Sequence, residues 1–211
     1  MTSSIETREH WDAAYTSKPA DQTGWYEATP AVSLELVRNC NATADTVILD
    51  IGSGASTLVP LLLEDGYRRI IAADISQVAL DALRDRLGPT GSDVTFICDD
   101  VTHPSALKEI GEVGVWHDRA LFHFLIDDAE RDAYLGLLRS LLRPGGYAII
   151  AAFAPDGADH CSGLPVRRYD EAALVEALGD EFELLESRRY IYTQPSGGLR
   201  PYVYTRFRRR A

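Results

Sequence analysis

The chain has 211 residues, 45% of them hydrophobic and 25% charged, which suits one domain with a full core. A net charge of −11 argues against a nucleic-acid partner, because a phosphate backbone needs a basic face. Arg206, Arg208, Arg209 and Arg210 alternate with Thr205 and Phe207, the pattern of a final strand with a solvated tail. The three cysteines, Cys40, Cys98 and Cys161, have no short pairing, which excludes a disulfide framework or zinc site and suggests a reducing compartment. The opening MTSSIETREH has no apolar signal core, and the longest apolar run, 58–63, is too short to span a bilayer. A soluble cytoplasmic protein with no membrane partner is expected.

Residues 1–45 precede the first strand pattern. They are too many for a tail and too few for a domain, so they are expected to cover a site carried by 46–211, within one domain over 1–211. In His10-Trp11-Asp12-x-x-Tyr15, Trp11 and Tyr15 fall at i, i+4 on one helical face. Gly24-Trp25-Tyr26-Glu27 follows on a loop.

Buried-strand patterns then recur at 46–51, 69–74, 94–98, 113–118 and 147–153. Helical spacing separates them at 58–63, 78–87 and 127–142, with Asp127 and Asp128 as candidate caps of the third. Strands alternating with helices imply an α/β, doubly wound, mostly parallel sheet with right-handed crossovers. The rhythm breaks after a helix at 170–178. Extended segments 182–193 and 202–208 flank Gln194-Pro195-Ser196-Gly197-Gly198, an antiparallel hairpin signal that brings the sheet to seven strands.

The first strand ends in Asp50-x-Gly52-x-Gly54, an acid followed by a sharp turn through two glycines. A dinucleotide fingerprint needs a third glycine three positions on, where this chain has Thr57. Asp50 would also repel a pyrophosphate, and it suits a cationic ligand. The second strand ends in Asp74, placed to accept from both hydroxyls of a ribose. S-adenosylmethionine, with an ammonium, a sulfonium and no phosphate, satisfies both acids.

The ordered set of Asp50-x-Gly52-x-Gly54, Asp74, Asp99–Asp100, Asp118, Arg143-Pro144-Gly145-Gly146 and a terminal hairpin resembles the class I S-adenosylmethionine-dependent methyltransferases, which have a Rossmann-like sheet. The resemblance covers 45–211. It implies that the glycine turn meets the amino-acid end of the cofactor, Asp74 holds the ribose and Ile75 lies beside the adenine. It also implies that Asp100 accepts from the adenine amine, with Asp99 as rival, that the Val101 amide donates to a ring nitrogen, and that Asp118 faces the methionine end. Trp11, Tyr15 and Trp25 resemble the aromatic cover of small-molecule methyltransferases such as the thiopurine and tellurite enzymes. Aromatic faces attract a sulfonium and exclude water.

Methyl transfer needs alignment of nucleophile, methyl and sulfur, and a base when the nucleophile carries a proton. Trp116–Phe124 contains two histidines, an acid and an arginine. His123 is the candidate base, and Arg119 the candidate clamp for the methionine carboxylate or an anionic acceptor. His117, on the strand face opposite Asp118, is expected to be structural. His160 and Cys161 lie on a long loop that could line an acceptor pocket. The expected function is methyl transfer to a small-molecule acceptor, at sulfur or another soft centre. The alternatives are a protein-lysine methyltransferase, which makes a protein the substrate partner, and a cofactor binder without turnover. An open acidic groove would favour lysine, and a closed small pocket a metabolite.

Overall fold

The computed structural model describes residues 4–211. In chain order, α1 (Ser4–Ser17) and α2 (Ala31–Arg38) lead into β1 (Ile48–Ile51), α3 (Leu58–Glu64), β2 (Ile70–Asp74), α4 (Gln77–Leu87) and β3 (Val94–Cys98). Then come β4 (Val113–Arg119), α5 (Asp128–Leu141), β5 (Leu142–Phe153), the short strands β6 (His160–Cys161) and β7 (Leu164–Pro165), α6 (Glu171–Leu178), β8 (Phe182–Thr193) and β9 (Leu199–Arg209). Seven strands form one sheet in the order β3-β2-β1-β4-β5-β9-β8. The first five are parallel, and β9 pairs antiparallel with both β5 and β8. The expected seven-stranded sheet and terminal hairpin are both present.

Side chains alternate across each strand, so neighbouring residues serve opposite layers. Ile48, Ile70 and Val115 pack in the layer formed with α2, α3 and α4. Leu49, Ile51 and Trp116 pack in the layer formed with α5 and α6. The chain winds outward from β1 through β2 to β3, then returns to place β4 on the other side of β1. That reversal opens a crevice beyond the carboxyl ends of β1 and β4, where open α/β sheets hold ligands.

Local chemistry sets the helix ends. The Ser76 hydroxyl caps α4 by accepting from the Ala79 amide at 3.1 Å, and Asp170 caps α6 by accepting from Ala173 at 2.8 Å. The caps expected for α5 differ. Asp127 occupies the cap position without a side-chain bond, and Asp128 pairs with Arg131. Arg131 in turn donates to the carbonyls of Leu125 and Ile126, which ties the preceding loop to the helix.

The sequence reading did not resolve α2. Its Val32, Leu36 and Val37, with Cys40 just beyond, recur at helical spacing after Pro30, and all four are buried. Leu36 is fully enclosed, so Leu36→Ala should cost about 2–5 kcal/mol of stability. Ile5→Ala, at a position 70% exposed, should stay within about 0.5 kcal/mol. Urea unfolding followed by circular dichroism checks both, with a clear shift of midpoint expected for Leu36→Ala alone.

Candidate active site

The glycine turn at the end of β1 is shaped by what lies against it. Gly52 has φ +65°, and a Cβ there would meet Leu121 at 2.5 Å. Gly54 has φ +53°, and a Cβ there would lie 2.1 Å from the Tyr15 hydroxyl. Both positions therefore need glycine for conformation and for space. Asp74, at the end of β2, fastens the turn. It accepts from the Gly54 amide at 2.7 Å and from the Ser76 amide at 2.8 Å. Burial pushes its carboxyl up to about 6; the two amides pull the other way, and Asp50 and Asp12 add to the rise.

The paired acids after β3 divide the work. Asp99 is buried and accepts from the amides of Asp100, Ser105 and Leu107 and from the Ser105 hydroxyl, so it organises the following turn. Asp100 is half-buried and accepts from the amide and hydroxyl of Thr102. Burial raises its carboxyl, but bonds from Ser4, Thr102 and His103 outweigh that and hold it low. Ile75 is half-buried beside Asp74, and Val101 is buried in the α5 layer.

At the end of β4 the expected faces are exchanged. Asp118 is fully buried against α5, where it accepts from the Tyr134 hydroxyl at 2.6 Å and from the amides of Leu121 and Phe122. Burial raises its carboxyl to about 6 against those bonds. Asp118 therefore braces the loop after β4 and does not line the crevice. His117 does. The β1–β4 register sets it beside Asp50, and its Nδ1 lies 2.7 Å from Asp50 Oδ1 while its Nε2 lies 2.9 Å from Ser33 Oγ. Strand alternation gave the correct pairing of opposite faces, but the sequence did not say which face held the site.

His123 also differs from its expected place. It is fully buried between Phe124 and Phe153, and its Nδ1 accepts from the Phe153 amide. Burial, aided by Arg119, pulls its pKa down to about 3. The ring is thus neutral and closed off, a packing element of the loop and not a group at the crevice. Arg119 does reach the crevice, but its contacts are with the protein. Its Nε donates to the Tyr204 hydroxyl at 2.9 Å, Nη1 to the Trp25 carbonyl at 2.9 Å, and Nη2 faces Glu27 at 3.1 Å. Its guanidinium also lies over Tyr192 and Tyr202. Burial works against that charge, and Tyr204, Tyr202 and Glu27 hold it in place.

The N-terminal aromatic rings meet beside the glycine turn. Trp11, Tyr15 and Trp25 form a cluster, with Trp25 5.6 Å from Trp11 and 5.5 Å from Tyr15 between ring centroids. Phe124 closes it from the loop after β4, and the Trp25 indole donates to the Tyr15 hydroxyl at 3.1 Å. Asp12 accepts from the Ser76 hydroxyl at 2.6 Å, which docks α1 over the end of β2. No residue of α1 is fully buried, so the helix rests on the crevice and is not part of the core.

Beneath the cover lies a cavity of about 70 Å³, lined by Tyr15, Trp25, Glu27, Asp50, His117 and Arg119 among others. Asp50 borders it, and its Oδ2 is buried with no hydrogen-bond partner among the described residues. A roof of aromatic rings over an unbonded carboxylate oxygen fits a ligand that carries an ammonium and a sulfonium. Tyr26 and Glu27 also border a second, open groove of about 420 Å³, whose far wall is Tyr190 and Tyr192 and whose rim includes Asp21.

Residues 48–146 match the family model described as a methyltransferase domain. An EEF1A lysine methyltransferase 2 of Danio rerio is 26% identical over 164 residues, which cover 71% of this chain and 70% of that protein. A structure solved in work on the conversion of a disulfide bond into a thioacetal group during echinomycin biosynthesis aligns with a TM-score of 0.77 at 19% identity, over 96% of this chain and 93% of its own. The 1,6-didemethyltoxoflavin-N1-methyltransferase of Burkholderia thailandensis, solved with S-adenosylhomocysteine, aligns with a TM-score of 0.68 at 24% identity, over 98% of this chain and 85% of its own. Residues 48–146 thus carry a methyltransferase domain, on a fold shared with solved methyltransferases that bind S-adenosylhomocysteine.

Proposed function

We propose that the acceptor is an amine nitrogen, carried by a lysine side chain of a protein. The observation that carries this reading is that Tyr26 and Glu27 border both spaces. A long side chain lying along the tyrosine faces of the groove would bring its tip to Glu27, at the edge of the cavity. The groove is aromatic and acidic, which suits a methylene stem tipped with a cation. The net charge of −11 favours a basic partner, and the Danio rerio relative is named for lysine.

A small-molecule acceptor, at nitrogen or sulfur, is the second reading. It draws on the solved structures, which align along nearly the whole chain, and on the small size of the enclosed cavity. The relatives reported above are named for acceptors other than thiopurine or tellurite.

In the proposed cofactor site, Asp50 Oδ2 meets the ammonium, Gly52 and Gly54 admit the amino-acid end, and Asp74 takes the ribose diol. Ile75, Asp100 and Val101 flank the adenine. Asp99 has its bonds elsewhere, which favours Asp100 as the adenine acceptor. The bound cofactor supplies an electrophilic methyl on sulfur. The protein aligns the nucleophile and keeps water out, with Trp11, Tyr15 and Trp25 as the roof. The Tyr15 hydroxyl lies against Gly54 and Asp12 bonds Ser76 beside the ribose acid, so α1 opens to admit the cofactor. His123 remains a loop-packing residue in this proposal, with Arg119 holding Glu27 and the tyrosine wall.

Three expected outcomes follow from this site. With tritium-labelled S-adenosylmethionine, label should enter the protein fraction of a cell extract and appear as methyl-lysine after hydrolysis. Label confined to the small-metabolite fraction would support the second reading. Hydrogen exchange across residues 4–17 should slow on adding S-adenosylhomocysteine; equal protection with and without it would mean that α1 is fixed structure. The third outcome concerns pH. The carboxyl of Asp74 sits near 6 in the free protein, so it is ionised above that value and protonated below it. Ribose hydroxyls donate to the ionised form, so affinity should be full near neutrality and fall as pH drops through about 6. The fall should reach about tenfold one unit below that pKa, the equivalent of about 1.4 kcal/mol. Calorimetry with S-adenosylhomocysteine measures it, and the slope should vanish in Asp74→Asn.

A further inference from the structure

We propose that Glu27 is the acceptor-binding carboxylate, and that it receives the aliphatic ammonium arriving along the tyrosine groove. This deepens the amine reading and rests on it. Glu27 lies on the loop between the cover and α2 and borders both the cavity and the groove. Its side chain is only 9% exposed. The position is fixed from several sides. The Glu27 carbonyl accepts from the Thr57 hydroxyl at 2.6 Å, and Oε1 accepts from the Tyr190 hydroxyl at 3.0 Å.

Oε2 is different. It faces Arg119 Nη2 at 3.1 Å without the alignment of a hydrogen bond, and neither atom has another partner among the described residues. A buried ion pair gains stability when further hydrogen bonds complete both charges, and this one is incomplete. Oε2 thus has hydrogen-bonding capacity that an incoming N–H donor would fill once the side chain shifts toward the groove. The groove supplies the rest of the fit. Tyr190 and Tyr192 flank the approach, and the Tyr192 hydroxyl bonds the Tyr26 carbonyl, so the far wall is tied to the loop that carries Glu27.

Arg119 gives the pair a chemical use. An ammonium docked on Glu27 has a guanidinium for a neighbour. The docking carboxylate favours the ammonium, and the like charge and low polarity around it work against that and favour loss of a proton from the nitrogen. The proton passes to the Glu27 carboxylate and then to water in the groove. The freed nitrogen lone pair forms the N–C bond to the methyl as the electron pair of the C–S bond goes to sulfur. The product is a methylated ammonium and a neutral thioether, so the charge carried by sulfur ends on nitrogen. The charged and titratable groups facing Glu27 are Arg119, Tyr190, Tyr192 and Tyr204, with Asp21 at the rim.

The test uses n-butylammonium as a stand-in for the lysine tip, and n-butanol as its neutral counterpart. Calorimetry on the full chain saturated with S-adenosylhomocysteine should show butylammonium binding that is lost in Glu27→Gln, while S-adenosylhomocysteine affinity stays within about threefold, a change of about 0.7 kcal/mol. Butanol should not discriminate between the two proteins. Lysine-peptide turnover should fall by a factor of about 10²–10⁴ in Glu27→Gln. Because removing one member of a buried pair strands the other charge, the double variant Glu27→Gln/Arg119→Gln is measured as well, and it should lose butylammonium in the same way. Equal butylammonium binding by wild type and either variant overturns the proposal. Lysine turnover by the wild type that persists in Glu27→Gln overturns it while leaving the amine reading intact. Failure of the wild type to methylate any amine instead removes the reading on which the proposal rests.

Discussion

The site depends on one buried constraint, the hydrogen-bonded chain Asp50–His117–Ser33. Its members come from β1, β4 and α2, and each is nearly or fully buried. A buried carboxylate is costly unless its oxygens are bonded, and His117 bonds one of them. The other oxygen is left without a partner among the described residues. The same contact ties α2 across the two central strands, so the helix that supports the cover loop and the acid that closes β1 are positioned together. Further along, Tyr204 lies near Ser33 and accepts from Arg119, which faces Glu27. The two carboxylates bordering the cavity are thus set by neighbouring polar side chains, each with one oxygen left unpartnered among the described residues.

Around this frame, the stability of each part matches its task. The sheet and its two layers hold the acids still. The cover is held by ring edges and a few polar bonds, and α1 buries no whole residue. Elements that must open are drawn from the weakly packed part of a structure. The long loop after β5 is also organised, as the small β6–β7 hairpin, and is tied back by the Tyr169 amide to the Phe153 carbonyl and by the Arg167 amide to the His123 carbonyl. His123 is therefore part of the joint between two loops, which accounts for its burial.

Much of the architecture was legible because its signals are local. Buried strands show as short apolar runs ending in Asp50 and Asp74, and the hairpin shows in Gln194–Gly198 between two extended segments. The contact of Trp11 with Tyr15 could be read from their i, i+4 spacing. The errors lie where the answer depends on three-dimensional arrangement. Alternation along β4 puts His117 and Asp118 on opposite faces, yet only the position of α2 and α5 decides which face is the crevice. His123 looks like a base by proximity to a strand end, but the turn at Phe122–Phe124 rotates it inward. Glu27 and the tyrosines of β8 and β9 meet across more than 160 positions of sequence. No local pattern announces that contact.

The order of the strands has a consequence for how the molecule comes into being. β9 lies between β5 and β8, so β8 is made before the strand that joins it to the sheet. Until β9 inserts, β5 has an open edge and β8 has no neighbour. Tyr202 and Tyr204 belong to β9, and Tyr190 and Tyr192 to β8, so the wall facing Glu27 cannot form on a nascent chain that ends before residue 199. Such pairings close long loops and form slowly compared with helix contacts. During synthesis, the cofactor half can therefore take shape first, while the half that recognises the acceptor waits for the last strand to insert.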